Sequence, residues 1–420
     1  MSLNMEIGNI IKTLTKNRNY ILFTIAIFAS FAIFGFSENV RSTAFPRIQE
    51  EFAITELHIG LLLAINSIGY VTACSYTAAL AKKIGIKTCM VLTHILMAIS
   101  GIGIFFSQSY LMLAASFFVL NLGYGMAEIS NGIVAATIYT KYTGTMLNLA
   151  HFSYGAGAVF APVAATSLMA VQYGDRLFGW RYMYIIILSF ALMPAIPALL
   201  GRLKKQDYNK KKTGYALILK KRSLWLTVMI LTFGVISEIG IAAWLVGFLE
   251  KAYSFPEDQA ALRMTLYFVC FTIARLLLGP LIDKIGFINS LVFSAAFAGA
   301  MITIGVLIGE AGTPLLVLAG IGTAPVFPTV MAVIAKLFQD EIDLAITSVT
   351  TIMGIILVPA NLLFGGIIDL LRQIFTDSHG EAGVGMAYSA GFMIVGLCCF
   401  ASSTFALLLR KRQKKAGQLV

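Results

Sequence analysis

Ala78-Ala79-Leu80-Ala81-Lys82-Lys83-Ile84-Gly85 and Gly279-Pro280-Leu281-Ile282-Asp283-Lys284-Ile285-Gly286 lie 201 residues apart (279 − 78). In each, an apolar run gives way to a lysine-bearing turn that ends on Ile-Gly. A second pair of segments keeps nearly the same offset. Phe34-Gly35-Phe36-Ser37-Glu38 is echoed by Phe233-Gly234-Val235-Ile236-Ser237-Glu238, with one residue inserted. Apolar runs repeated at about half the chain length imply two parallel structural repeats in a membrane, which set a binding site near the bilayer midplane at their interface.

The composition requires lipid as the solvent. Of 420 residues, 58% are hydrophobic and 12% charged, whereas a soluble domain carries about 25% charged residues. A crossing helix needs about 20 mostly apolar residues. Helices are predicted over 20–45, 57–81, 87–107, 109–140, 144–172 and 180–202 (spans 1 to 6). Six more are predicted over 223–250, 259–282, 286–309, 314–337, 342–372 and 384–409 (spans 7 to 12). The expected fold is an all-α membrane protein of two pseudo-symmetric six-helix bundles. The first bundle is 1–202 and the second 222–420, joined by a basic linker at 203–221.

The net charge of +11 raises the question of nucleic acid, but its distribution answers otherwise. Lys12, Lys16 and Arg18, then Lys82, Lys83 and Lys87, then Lys141, the run from Arg202 to Arg222, Lys284, Lys336 and the tail Arg410–Lys415 fall in alternate connections. The other connections hold only scattered cations such as Arg47, Arg176, Arg181, Lys251 and Arg372. That asymmetry is the positive-inside pattern. It places both termini and the linker in the cytoplasm and the chain in the inner (plasma) membrane. The linker's charge also suits contact with anionic lipid. No aromatic–basic interleaving outside the spans supports nucleic-acid binding.

Other classes are excluded by what the sequence lacks. Cys74, Cys89, Cys270, Cys398 and Cys399 are five, all in apolar runs and without metal-ligand spacing, so neither a disulfide framework nor a metal site is expected. The first apolar run opens near Tyr20, is too long for a signal-peptide core and lacks a cleavage site. There is no phosphate-cradling glycine loop of an ATPase and no Ser/His/Asp set. The chain is therefore expected to be no enzyme and to need no cofactor beyond a coupling ion.

The twelve spans, the basic centre and the paired loops after spans 2 and 8 resemble the major facilitator superfamily along the whole chain. Gly279–Gly286 matches that superfamily's G-x-x-x-D-R/K-x-G pattern, while the first copy has Ala78 for glycine and Lys82 for aspartate. Finer motifs resemble the fucose:proton symporter family, which includes glucose/mannose:proton symporters. They are Leu122-Gly123-Tyr124-Gly125 leading to Glu128, Leu147-Asn148-Leu149-Ala150-His151-Phe152 with Gly155-Ala156-Gly157-Ala158, Glu238 with Trp244, and Ala324-Pro325-Val326-Phe327-Pro328-Thr329. The resemblance implies proton-coupled symport of a sugar or similar small polar solute by alternating access. The family's carboxylates in spans 1 and 4 fall on Glu38 and Glu128. An exporter of drugs or lipids coupled to protons is the alternative, kept open by 30 Phe and 17 Met. A monomer in contact with membrane lipids is expected.

Ionisable residues inside spans are expensive and hence functional candidates. Glu38 and Arg41, three apart on one helix face, read as a carboxylate tuned by a cation toward the outer end of span 1. Glu128, among small residues in span 4, reads as a proton carrier, because desolvation disfavours its charged form. These three form the expected proton-coupling set. Glu238 and Trp244 of span 7 offer a hydroxyl acceptor and an aromatic plate. Asn66, Asn131, Asn148 and Asn361 each bring donors and an acceptor, and His151 lies near Asn148. These seven are the expected substrate-binding set. Arg275 and Asp283, beside the second glycine turn, read as gating residues.

Orientation is testable directly. A cysteine at Lys210, in the linker, is expected to resist a membrane-impermeant thiol reagent in intact cells and to label once they are permeabilised. Labelling of intact cells reverses the topology.

Overall fold

The computed structural model describes residues 18–139, 143–174, 176–203, 218–338 and 342–415. Among them, twelve helical spans are long and apolar enough to cross a bilayer. Spans 1 to 6 are Arg18–Phe52, Glu56–Ile84, Ile86–Phe105, Tyr110–Ala135, Leu149–Met169 and Gly179–Leu200. Spans 7 to 12 are Arg222–Tyr253, Glu257–Leu277, Phe287–Ile308, Glu310–Leu337, Leu344–His379 and Ala382–Lys415. A two-residue antiparallel pair, Gln172–Tyr173 with Arg176–Leu177, is the β structure among the described residues.

The loop repeat is realised in the backbone. Span 2 ends at Ile84 and span 3 starts at Ile86, with Gly85 between them at φ 87°, ψ 145°. After span 8 a short helix, Gly279–Ile285, is followed by Gly286 at φ 88°, ψ 146°. A side chain at that φ would be strained, so both copies need glycine. The side chain of Asp283, and the linker residues 204–217, lie outside the described residues.

Span 1 runs past its expected end at 45. Arg18–Asn39 turns at Val40 and continues as Arg41–Phe52, closed by Ala53 at φ 50°. This continuation is too polar for lipid, and the structure resolves the conflict by burying Arg41, Ser42, Thr43 and Gln49 in protein. The apolar-run reading stopped at those polar residues and so put Arg41 near a helix end. The helix carries it on toward the middle. Span 10 breaks between Thr323 and Val326. Pro325 and Pro328 lack N–H groups, so the carbonyls of Ile321 and Ala324 lose their intrahelical donors there.

The described chain forms two compact units. The first holds the chain up to Ser37 with Gly69–Gly157 and span 6 from Arg181. In it, spans 1 and 5 meet backbone to backbone. A Cβ on Gly35 would strike the Tyr154 carbonyl, and one on Gly157 the Ala32 carbonyl. Small residues make such approaches feasible. Phe34 stacks on Tyr124 at 4.4 Å, and the Tyr124 hydroxyl donates to Ser37 Oγ at 2.8 Å. The second unit holds Glu38–Ile68, Ala158–Trp180 and the chain beyond the linker. Its core is built by residues such as Leu224, Leu231, Leu291, Val330, Val349 and Leu409. In it, Gly60 of span 2 and Gly365 of span 11 bring those two helices into backbone contact.

Gly157→Leu is therefore expected to lower thermal stability by about 1–3 kcal/mol, the cost of overpacking. Gly132→Leu, where a Cβ meets nothing within 4 Å, is the control and is expected to melt like wild type. Equal melting of the two variants in detergent contradicts the close approach.

Candidate functional site

The second unit brings four charges together around the middle of span 7, one of them, Arg275, from the last turn of span 8. Arg41 Nη1 lies 3.4 Å from Glu38 Oε1 within span 1. Arg275 Nη2 of span 8 lies 3.8 Å from Glu238 Oε1 of span 7. Glu38 and Arg41 are also within electrostatic range of Glu238. Two glutamates and two arginines sum to zero charge. Each of these side chains is more than three-quarters buried, yet Glu38 and Glu238 keep 20% and 21% exposure. Lipid is an untenable neighbour for those part-exposed carboxylates in their charged form.

The site is built from the sequence repeat and from the broken helix. Glu38 and Glu238 close the two echoed segments, so the repeats deliver one carboxylate each. Arg275 is held in place by the Ala324 carbonyl, which accepts from its Nε at 3.1 Å. That carbonyl is free because Pro328 is the residue that would have bonded it in the helix. The guanidinium also lies over the Phe271 ring, 4.2 Å from its centroid, a favourable cation–π contact. Arg275, read from sequence as a gate beside the glycine turn, thus reaches the span 7 carboxylate instead.

The other candidates scatter. Glu128 is half-buried in the first unit, in range of the Cys74 thiol. Asn131 is buried and donates to Ser30 Oγ at 2.8 Å, tying span 4 to span 1. Asn361 donates to Ser67 Oγ at 3.0 Å, tying span 11 to span 2. Both amides serve as helix–helix links here. Asn66 is buried with its Oδ1 lacking a hydrogen-bond partner. His151 packs on Phe31, ring centroids 4.8 Å apart. Trp244 is 4% exposed and sits edge to face with Phe364 and Tyr388, so its ring is closed to a sugar in this structure. The Asn148 side chain lies outside the described residues.

Sequence reasoning missed a second polar centre, where spans 1 and 2 meet spans 7, 8, 11 and 12. Glu56, 1% exposed, takes Arg372 at 3.0 Å, Lys251 at 3.5 Å and the Tyr388 hydroxyl at 3.1 Å. Gln49 Nε2 donates to it at 3.5 Å. Arg372 also binds Asp369 at 2.8 Å. Beside it Arg47 bridges Glu50 and Glu250, both at 2.8 Å, and Glu257 at 3.3 Å. The signal was present as a concentration of charge, Arg41, Arg47, Glu50, Glu51 and Glu56, in a chain otherwise poor in it. Among the described residues, no group of three or more His, Cys, Asp or Glu could hold a metal ion.

Twelve spans long and apolar enough to cross a bilayer, with repeated glycine turns, are those of a multi-pass membrane protein. The chain belongs to the Major Facilitator Superfamily, whose model matches residues 27–251 and 235–419. It is 23% identical over 262 residues to the cis,cis-muconate transport protein of Acinetobacter baylyi, covering 57% of this chain and 60% of that one. The bypass of stop codon protein 6 of Saccharomyces cerevisiae is 21% identical over 309 residues, covering 65% and 59%. The chain thus spans about three-fifths of the length of these curated relatives. In fold it is similar to a bacterial homologue of the human lysosomal transporter Spinster, with TM-score 0.77, 13% identity, and 95% and 98% of the two chains covered. It is also similar to the E. coli fucose:proton symporter, with TM-score 0.63, 20% identity, and 93% and 99% covered. Family and fold are those of multi-pass membrane transporters, not enzymes.

Removing one partner of a buried ion pair strands the other, at a cost of about 3–5 kcal/mol. Glu56→Ala is expected to be the most destabilising single change in the second polar centre. Arg47→Ala should cost less, since the Arg47 side chain is 28% exposed. Thermal melting that ranks Arg47→Ala below Glu56→Ala in stability contradicts the assignment of Glu56 as the buried hub.

Proposed function

We propose that the chain is a secondary active symporter that couples protons to the uptake of a small polar solute by alternating access. It works in the inner membrane with both termini cytoplasmic. The observation that carries the reading is the neutral quartet of Glu38, Arg41, Glu238 and Arg275, where part-exposed carboxylates sit among arginines inside the spans. Such carboxylates exchange protons with water and polar ligands, whereas an apolar cargo would gain nothing from them. Small polar solutes also stand in the printed names of similar proteins: muconate for a curated relative, and fucose, D-xylose and nucleoside for neighbours in fold. In this orientation the Glu56 centre closes the outer side. Rocking of the bundles breaks it on one half-cycle.

Glu38 and Glu128 take part in proton transfer in this scheme, and Glu238 is within electrostatic range of Glu38 to share it. Glu238 and Arg275 meet the solute, and Asp283 helps to gate. The chain is tested in proteoliposomes with the solute found by a thermal-shift panel of sugars, nucleosides and short organic acids, since a ligand of the folded state raises apparent stability. Glu128→Gln is expected to abolish uphill accumulation and solute-driven proton movement while solute counterflow continues. Accumulation by that variant at the wild-type level removes Glu128 from the coupling step. Solute movement by the wild-type protein that ignores the proton gradient overturns the reading.

A further inference from the structure

Arginine is used in two ways in this chain. In the Glu56 centre Arg47 and Arg372 hold carboxylates at 2.8 Å, the short distance of a charge-assisted hydrogen bond. In the quartet Arg41 and Arg275 hold theirs at only 3.4 and 3.8 Å. Arg41 is 7% exposed, and its buried Nε has no hydrogen-bond partner. Arg275 spends its Nε on the Ala324 carbonyl, which aims the Nη side of its fork at Glu238. One turn before it, Thr272 is 7% exposed with its Oγ1 likewise unpartnered. Donor capacity is therefore unspent beside Glu238, where desolvation makes it costly, as it also is at the Nε of Arg47 and of Arg372.

Resting on the symport reading, we propose that the solute is a carboxylic acid anion whose carboxylate displaces Glu238 from Arg275, with Glu238 taking up one proton as it is displaced. The guanidinium fork of arginine matches a carboxylate in bidentate fashion, which a hydroxyl cannot do. Charge explains the proton. The quartet is neutral, so an added carboxylate alone would leave net charge −1 there. One proton on Glu238 restores neutrality, and anion and proton enter together. Glu238 is faced by Arg275 and Tyr267 of span 8 and by Glu38 and Arg41 of span 1. From span 12, Cys399 bonds the neighbouring Ser237. A neutral sugar gives Arg275 no reason to release its partner and gives Glu238 no reason to bind a proton.

Binding and protonation then favour each other reciprocally. The test is thermal stabilisation of the purified full chain by acids paired with neutral analogues: D-galacturonate with D-galactose, D-glucuronate with D-glucose, and succinate and cis,cis-muconate with their diamides. At least one acid is expected to stabilise the protein where its analogue does not, with apparent affinity rising up to about tenfold per unit fall in pH above the Glu238 titration. Arg275→Gln is expected to lose the response. Because that change strands Glu238, the neutral double variant Arg275→Gln/Glu238→Gln is measured beside it and is expected to fold and still not respond. A panel in which no acid exceeds its neutral analogue overturns the proposal, as does a double variant that keeps the acid response. A neutral solute that stabilises the protein and enters with protons sinks this inference and leaves the symport reading standing. Acid uptake without proton movement sinks the symport reading instead.

Discussion

A charged side chain at the centre of a bilayer costs about 2.5–3.5 kcal/mol on insertion scales, and this chain places Glu38, Arg41 and Glu238 well inside spans 1 and 7, with Arg275 reaching them from the last turn of span 8. They persist because each faces an opposite charge and because the sum is zero. Much of the local architecture follows from that constraint. Val40, at φ −64° and ψ −18°, lets span 1 carry on through a polar stretch that lipid would reject. The break in span 10 leaves a carbonyl for Arg275. The repeat supplies a glutamate from each half, while the arginines that pair with them stand at unrelated positions.

The two polar centres differ in how tightly they are made. The Glu56 centre combines short ion pairs with a nearly inaccessible carboxylate, and it ties the ends of spans 1 and 2 to the second half of the chain. The quartet is looser, its ion pairs 3.4 and 3.8 Å long, with Glu38 and Glu238 each about one-fifth exposed. Loose pairs exchange partners at low cost, since the desolvation has already occurred and a ligand or proton only redistributes contacts.

Much of the fold was legible because membrane helices advertise themselves by length and apolarity, and because the glycine turns after spans 2 and 8 require an unusual φ that marks both copies. Glu38, Arg41, Glu238 and Arg275 were legible for the same reason, as charges interrupting apolar runs. What the sequence hid was pairing. Glu56 meets Lys251 and Tyr388 across separations of 195 and 332 residues, and charges at span ends look like ordinary solvated loop residues until the fold brings them together. Trp244 shows the opposite ambiguity. An aromatic inside a span carries the same signal whether it faces a ligand or, as here, Phe364 and Tyr388.

The central claim is that Glu238 and Arg275 exist for each other's charge. A double-mutant cycle on the purified protein tests it most directly, comparing thermal stability of Glu238→Gln, Arg275→Gln and the double variant. Each single change leaves one buried charge stranded, so each is expected to melt well below wild type. The double variant should recover most of the loss, with a coupling of about 1 kcal/mol or more. Losses that simply add in the double variant would mean that the two residues do not compensate each other, and the neutral quartet would cease to be the organising feature of the site.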